Sequence, residues 1–170
     1  PIDTGYSLTQ DSYMNIDAKD EESVYAGMQE LEFTEVESGI KVKSKAHLGD
    51  EGVYIYTYVN DKNIYVSSDK EFFQNDSVEY YLDPNPAYSR SNEFLNGPLR
   101  VRTDNVQVRI NPLGEYETWY GRRIGGQYAY PWAKGFFKVK VATKVDGTIN
   151  AQNGATGYSV EAFIPYEAME

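Results

Sequence analysis

The chain has 170 residues, 41% of them hydrophobic, and 16 basic against 26 acidic residues give a formal net charge of −10. That length suits one domain with a real core, the apolar content argues against disorder, and the negative field repels phosphate backbones and anionic bilayers, so nucleic acid and membrane drop away as partners. No apolar run approaches the roughly 18 residues of a membrane span, and the absence of cysteine excludes disulfides, thiolate catalysis and cysteine zinc sites.

The opening PIDTGYS has neither the basic start nor the apolar core of a signal peptide, and a start at Pro1 without methionine reads as a piece of a longer or processed protein. Residues 1–22 are polar. Met14 and Ile16 are their expected strand residues, and the acidic run Asp17 to Glu22 follows. Ser23 to Met28 suits one helical turn capped by Asp20 or Ser23. From Ile40 the pattern alternates at period two. Ile40, Val42, Ala46 and Leu48 take one face, while Lys41, Lys43, Lys45 and His47 take a solvated one. The turn Gly49-Asp50-Glu51-Gly52 leads into Val53 to Val59, where aliphatic residues alternate with Tyr54, Tyr56 and Tyr58, so the pair reads as an antiparallel hairpin. A short strand is expected from Asn63 to Ser67.

Phe72 to Asn85 carries the most informative strand. Val78, Tyr80 and Leu82 point one way, and Ser77, Glu79, Tyr81 and Asp83 the other. A carboxylate such as Glu79 in mid-strand is destabilising if it is buried without partners. It therefore faces water, a cation, an arginine or a ligand. Residues 84–98 form a long connection, and a short strand is expected at Leu99 to Arg102. In Asn105 to Asn111 (NVQVRIN), Val106, Val108 and Ile110 point inward, so Gln107 and Arg109 take the opposite face, where Arg109 can meet Glu79. Pro112-Leu113-Gly114 makes a turn, and Glu115 to Tyr120 suits a strand. Residues 121–135 form a glycine-rich loop dense in aromatic and basic side chains, with Arg122 and Arg123 read as solvated charges. Phe136 to Thr143 alternates again, Asp146-Gly147 signals a hairpin turn, and Gly157 to Ile164 is a strand with Tyr158, Val160, Ala162 and Ile164 inward and Glu161 on its polar face. Pro165 ends it and a helix is expected from Tyr166. These short, punctuated strands predict a single all-β domain over residues 1–170, an antiparallel, jelly-roll-like β-sandwich with at most short helical turns.

Four segments resemble the family 9 carbohydrate-binding modules and their relatives: NIDAKDEE (Asn15 to Glu22), YIYTYVND (Tyr54 to Asp61), FFQNDSVEYYLDP (Phe72 to Pro84) and GYSVEAFIPYEAM (Gly157 to Met169). Their order and spacing agree across essentially the whole chain. The resemblance implies a β-sandwich that binds poly- or oligosaccharide without catalysis, as one part of a larger protein. In the sugar-binding members the contacts come from an aromatic before the strand, the strand glutamate and an arginine in a D-x-Q-x-R-x-N strand. These fall on Phe73, Glu79 and Arg109, the last within DNVQVRIN (Asp104 to Asn111). Phe73 stands where a tryptophan is typical. The resemblance also implies closing strands beyond Glu170 that carry a second stacking tryptophan. Structural calcium is a further implication, without assigned ligands.

A pyranose is held by an aromatic surface under its C–H face and by charged or amide groups at its hydroxyls. Glu79 and Arg109 supply an acceptor and a donor fork, and Gln107 and Asn111 share Arg109's face. The competing reading of that pair is a structural salt bridge on a solvated sheet. Trp119 is either edge packing or part of the site, and Trp132 is the candidate to replace the absent tryptophan. His47 is the lone histidine, so no zinc site forms. Asp50, Glu51, Asp61, Asp76, Asp83 and Asn85 offer turn oxygens for calcium but lack a calcium-loop spacing. Glycosidase chemistry needs paired carboxylates. The candidate pairs are Glu79 with Asp83 or with Glu161. Glu79 and Asp83 lie roughly 13 Å apart by strand rise, which fits neither glycosidase geometry, and the sequence does not place Glu161 relative to Glu79. Met14, Met28 and Met169 do not suggest haem ligation. The sequence reads as a carbohydrate-binding module of a secreted or bacterial cell-surface protein; the alternative is an extracellular structural or adhesion sandwich without a small-ligand site.

Overall fold

The computed structural model describes residues 8–84, 105–121 and 132–169. Two antiparallel sheets form a sandwich, as the alternation predicts. The first runs β1-β2-β3-β9-β8, with β1 Leu31–Thr34, β2 Lys41–Leu48, β3 Gly52–Asn60, β8 Lys140–Gly147 and β9 Ala155–Pro165. The second runs β4-β5-β6-β7, with β4 Val78–Leu82, β5 Val106–Ile110, β6 Tyr116–Gly121 and β7 Trp132–Lys134. Their facing sides make the main core. Val53, Val59, Val160, Ala162 and Ile164 of the first sheet meet Val78, Val106, Val108 and Ile110 of the second, joined by Phe137 and Val139. Tyr80 of β4 spans the layers and donates its hydroxyl to Thr57 Oγ1 of β3 at 2.8 Å.

The outer face of the first sheet is covered as well. Residues 8–28 run across it as a strap, and Met14 and Tyr25 pack with Tyr54 and Phe163 in a second cluster. This corrects the placing of Glu161 on a polar face, because Glu161 is fully buried. Its Oε2 accepts the backbone N–H of Asp17 (2.8 Å) and Ala18 (3.1 Å), and its Oε1 accepts the Tyr25 hydroxyl (3.1 Å). Ser159 ties the same segment by donating to the Ala18 carbonyl. Asp11 anchors the start of the strap by accepting Tyr54 Oη–H at 2.8 Å and the N–H groups of Asp50 and Glu51. A side chain at Gly49 would collide with Asp11, so the close approach of turn and strap requires glycine there.

Several local expectations change for the same reason: partners distant in sequence override local pattern. Met14 and Ile16 belong to the strap and not to a strand. The short helix Ser23–Ala26 forms, but Glu22 precedes it and no side chain caps it; Asp20 instead binds Lys45 at 2.7 Å. His47 is half-buried between the rings of Tyr13 and Tyr54, at centroid distances of 5.9 and 6.0 Å, not among solvated lysines. Leu48, expected inward, is 72% exposed at its strand end. β1 lacks alternation because all four of its residues are exposed.

Asn63 to Ser67 is extended but joins no ladder. Asn150 serves in place of a partner strand, taking the Val66 N–H on Oδ1 and donating Nδ2 to the Val66 carbonyl. Asp146-Gly147 is a bulge, with Gly147 at φ 132°, and the reversal comes later, where Asn150 and Asn153 adopt positive φ. Phe136 to Val139 alternates in burial but precedes β8. Tyr166–Met169 forms a 3₁₀ turn. The expected strand Leu99 to Arg102, the charges Arg122 and Arg123, and Asn85 lie outside the described residues.

Burial pushes the Glu161 carboxyl up to about 7, with the Asp17 N–H opposing and the Glu22 charge adding to the rise. The unfolded carboxyl titrates near 4.5. Between those values the folded chain holds a proton that the unfolded chain has released, so this contribution to stability is full at low pH and is lost as pH rises toward 7. The difference in unfolding free energy between the parent chain and Glu161→Gln should therefore move against the parent between about pH 5 and about pH 7.5. Denaturant titrations at the two pH values check this, and parallel profiles would contradict it.

Candidate functional site

The face of the second sheet opposite the main core carries two rows of polar and aromatic side chains. The register of β4, β5 and β6 sets Glu79 across from Arg109 and Arg109 across from Glu117. The next row on that face runs Tyr81, Gln107, Trp119 and Lys134 across all four strands. Because alternate residues share a face, the two rows are side-chain neighbours.

Arg109 is the hub. Its Nε donates to Glu79 Oε1 at 2.6 Å and its Nη1 to Glu117 Oε1 at 2.6 Å. Lys134 Nζ donates to Glu117 Oε2 at 2.7 Å and lies 4.9 Å from the centre of the Trp119 ring. Glu79 Oε2 accepts from the Tyr81 hydroxyl at 2.5 Å and from Gln107 Nε2 at 3.1 Å. Two carboxylates meet two cations, so the cluster is charge-balanced. It is also largely withdrawn from water: the side chains of Arg109 and Glu117 are 10% and 12% exposed, and Glu79 is 31% exposed. Burial would raise the Glu79 carboxyl, but the hydrogen bonds from Tyr81 and Arg109 and the guanidinium charge outweigh it and hold the group below its usual range. Arg109 shows the complement: burial works against its charge, and Glu79 and Glu117 more than restore it.

Two polar groups are left without a partner in this cluster among the described residues. Gln107 is fully buried with its amide oriented by Glu79, and its Oε1 has no partner among the described residues. The hydrogen bonds of Arg109 in this cluster run through Nε and Nη1 and none through Nη2. An acceptor and a donor edge left over from an otherwise satisfied network suit hydroxyl groups, which both donate and accept.

The structure thus brings Glu79, Gln107, Arg109 and Trp119 together. Asn111 is fully buried but serves the β5–β6 turn: its Oδ1 accepts the N–H groups of Leu113 and Glu115, and Gly114 completes the turn at φ 80°. Phe73 is 64% exposed on the 3₁₀ turn Phe72–Gln74 that leads toward β4, outside the two rows. Trp132 is placed by its backbone opposite Gly121 in β7; its side chain lies outside the described part of the chain. Trp119 is half-buried, and one side of its ring is taken by Lys134. Glu117, Lys134 and Tyr81 complete the site without having been singled out in the sequence. The available signal was the Asn111–Glu115 turn, which sets the register that puts Glu117 beside Arg109.

No group of three or more His, Cys, Asp or Glu residues is placed to hold a metal ion among the described residues. Of the turn carboxylates, Asp61 accepts the Asn63 N–H and Asp76 the Tyr65 N–H. Glu161 lies on the first sheet under the strap, so it does not pair with Glu79.

The family model for carbohydrate family 9 binding domain-like proteins matches residues 16–170. Among the similar solved structures are two of a family 9 carbohydrate-binding module from Caldicellulosiruptor kristjanssonii. The one in complex with cellotriose has a TM-score of 0.61 at 19% identity, covering 89% of this chain and 63% of that one. The one in complex with glucose has a TM-score of 0.57 at 19% identity, covering 89% and 64%. The chain therefore spans less than two thirds of the length of these structures, and at this identity the likeness is one of fold. No curated protein matches the chain.

Arg109→Ala would leave the nearly buried Glu117 and the partly exposed Glu79 without their shared cation. It should destabilise the fold by about 3–5 kcal/mol, the range for breaking a buried ion pair. Urea unfolding measures this, and a loss under about 1 kcal/mol would mark the cluster as an ordinary surface pair.

Proposed function

The chain belongs to the carbohydrate family 9 binding domain-like family, and from that premise we propose that the Glu79–Arg109 face of the second sheet is its sugar-binding surface. One observation carries the reading: a guanidinium held between two carboxylates, with its Nη2 edge outside the network. A pyranose hydroxyl accepts from Nη2, and the exposed rim of Glu79 and Tyr81 offers a further acceptor and hydroxyl. Phe73 and Trp132 are the candidate apolar walls. The domain acts by binding, without catalysis. Glu79 is held ionised by its donors, which suits an acceptor and not a general acid.

Cellotriose and glucose, the ligands of the two similar structures, are the natural first probes. Affinity should be modest, because a sheet face with few aromatic anchors gives little preorganised contact area. In this reading the domain tethers a larger secreted or surface-attached protein to a glycan, consistent with the acidic, tyrosine-rich composition. The low exposure of Arg109 favours a second reading, a spacer or adhesion domain whose ion pairs serve only the sheet.

Calorimetric titration with cellotriose separates the two. Arg109→Lys keeps the charge but loses the planar fork, and Glu79→Gln loses an ionised acceptor. Each should weaken binding by ten- to a hundredfold, the effect of about 1.5–3 kcal/mol for a hydrogen bond to a charged group. Binding that survives both substitutions removes the site, and a parent chain that binds no glycan on an array supports the spacer.

A further inference from the structure

Arg109 has two carboxylate partners, and only Glu79 has a place in the sugar-site resemblance. The second, Glu117, is nearly buried, and both of its oxygens are taken by cations: Oε1 by Arg109 Nη1 at 2.6 Å and Oε2 by Lys134 Nζ at 2.7 Å. We propose that Glu117, held in place by Lys134, is a positioning residue that aims the open edge of Arg109 at the ligand. The proposal rests on the sugar-binding reading of this face and adds to it a residue that need not touch the sugar.

The argument is geometric. With Nε bound to Glu79 alone, the guanidinium can swing about that one hydrogen bond, and its free edge sweeps an arc. Glu117 approaches from the opposite neighbouring strand and takes Nη1, so the planar group is pinned from both sides and Nη2 is left with a single direction. Pinning works only if Glu117 is itself fixed. Lys134 supplies that from β7, and the same ammonium lies against the Trp119 ring. The chain Glu79–Arg109–Glu117–Lys134–Trp119 therefore crosses all four strands of the sheet and joins the hydrogen-bonding edge to the indole. A ligand meets a donor whose orientation is settled before binding, which lowers the ordering cost of association.

Glu117→Gln keeps the shape but presents an amide N–H₂ to one of the two cations, so one tie is lost. Cellotriose affinity should fall about tenfold, the loss of one charge-assisted hydrogen bond, while the backbone amide NMR spectrum stays that of the parent chain. A second measurement reads the pinning itself. In the parent chain the Arg109 Nη resonances should be resolved by slow rotation about Nε–Cζ, and in Glu117→Gln they should merge. A role confined to stability would leave that rotation unchanged. Lys134→Met, at a 47% exposed side chain, gives a variant tolerant of folding and should weaken cellotriose binding about threefold. Unchanged affinity in both variants overturns the proposal, as does free rotation of Arg109 in the parent chain. If the parent chain bound no cellotriose, the sugar reading would fail, and the rotation measurement would still decide whether Glu117 orients Arg109.

Discussion

Arg109 lies between two carboxylates on a strand whose five residues are all buried, and the arrangement of the second sheet's outer face follows from that placement. A guanidinium withdrawn from water is tolerated only when opposite charges and hydrogen bonds replace its hydration. Glu79 from β4 and Glu117 from β6 meet that requirement on either side, and each then needs donors of its own. Tyr81 and Gln107 serve Glu79, and Lys134 serves Glu117. The result is a network that reaches every strand of the sheet. It leaves Nη2 of Arg109 outside the network and the buried Oε1 of Gln107 without a partner among the described residues.

The first sheet solves the same problem differently. Glu161 on β9 is fully buried, yet the hydrogen bonds it accepts come from backbone N–H groups and a tyrosine hydroxyl. Dipoles alone compensate a buried carboxylate less completely than a cation does, so its pKa rises where that of Glu79 falls. The two glutamates therefore have different uses. Glu79 stays charged and partly exposed beside open hydrogen-bonding groups. Glu161 fastens the N-terminal strap over the sheet, and its cost in charge is carried as a pH-dependent stability.

The three layers explain the tyrosine content. Tyr54 and Tyr25 fill the space between strap and first sheet, each with its hydroxyl on a carboxylate, Asp11 or Glu161. Tyr80 and Tyr158 work on the main-core side, where Tyr80 reaches across to Thr57. An amphipathic ring can close an apolar layer while its hydroxyl satisfies a polar group at the boundary. Membership of the carbohydrate family 9 binding domain-like family agrees with this architecture, and the two structures that share it at 19% identity show how little of the sequence the fold demands.

Alternation in the sequence was enough to identify the sandwich and the β2–β3 hairpin, because each depends on neighbours two residues apart or on a short turn. It set Glu79 and Arg109 on the outward faces of their strands, and the register of β4 on β5 made them partners. Four motifs in register carried the family. What alternation could not show was whether a strand's second face meets water or another layer. Glu161 looked solvent-facing because its cover comes from residues 17, 18 and 25, more than a hundred positions away. Glu117 and Lys134 were equally hidden, although Glu117 stood on the same face of its strand as Trp119, because their partnership exists only once β5, β6 and β7 are in register. Periodicity determines which side chains share a face; only the assembled sheets decide what that face meets, since burial is a property of the neighbours and not of the strand.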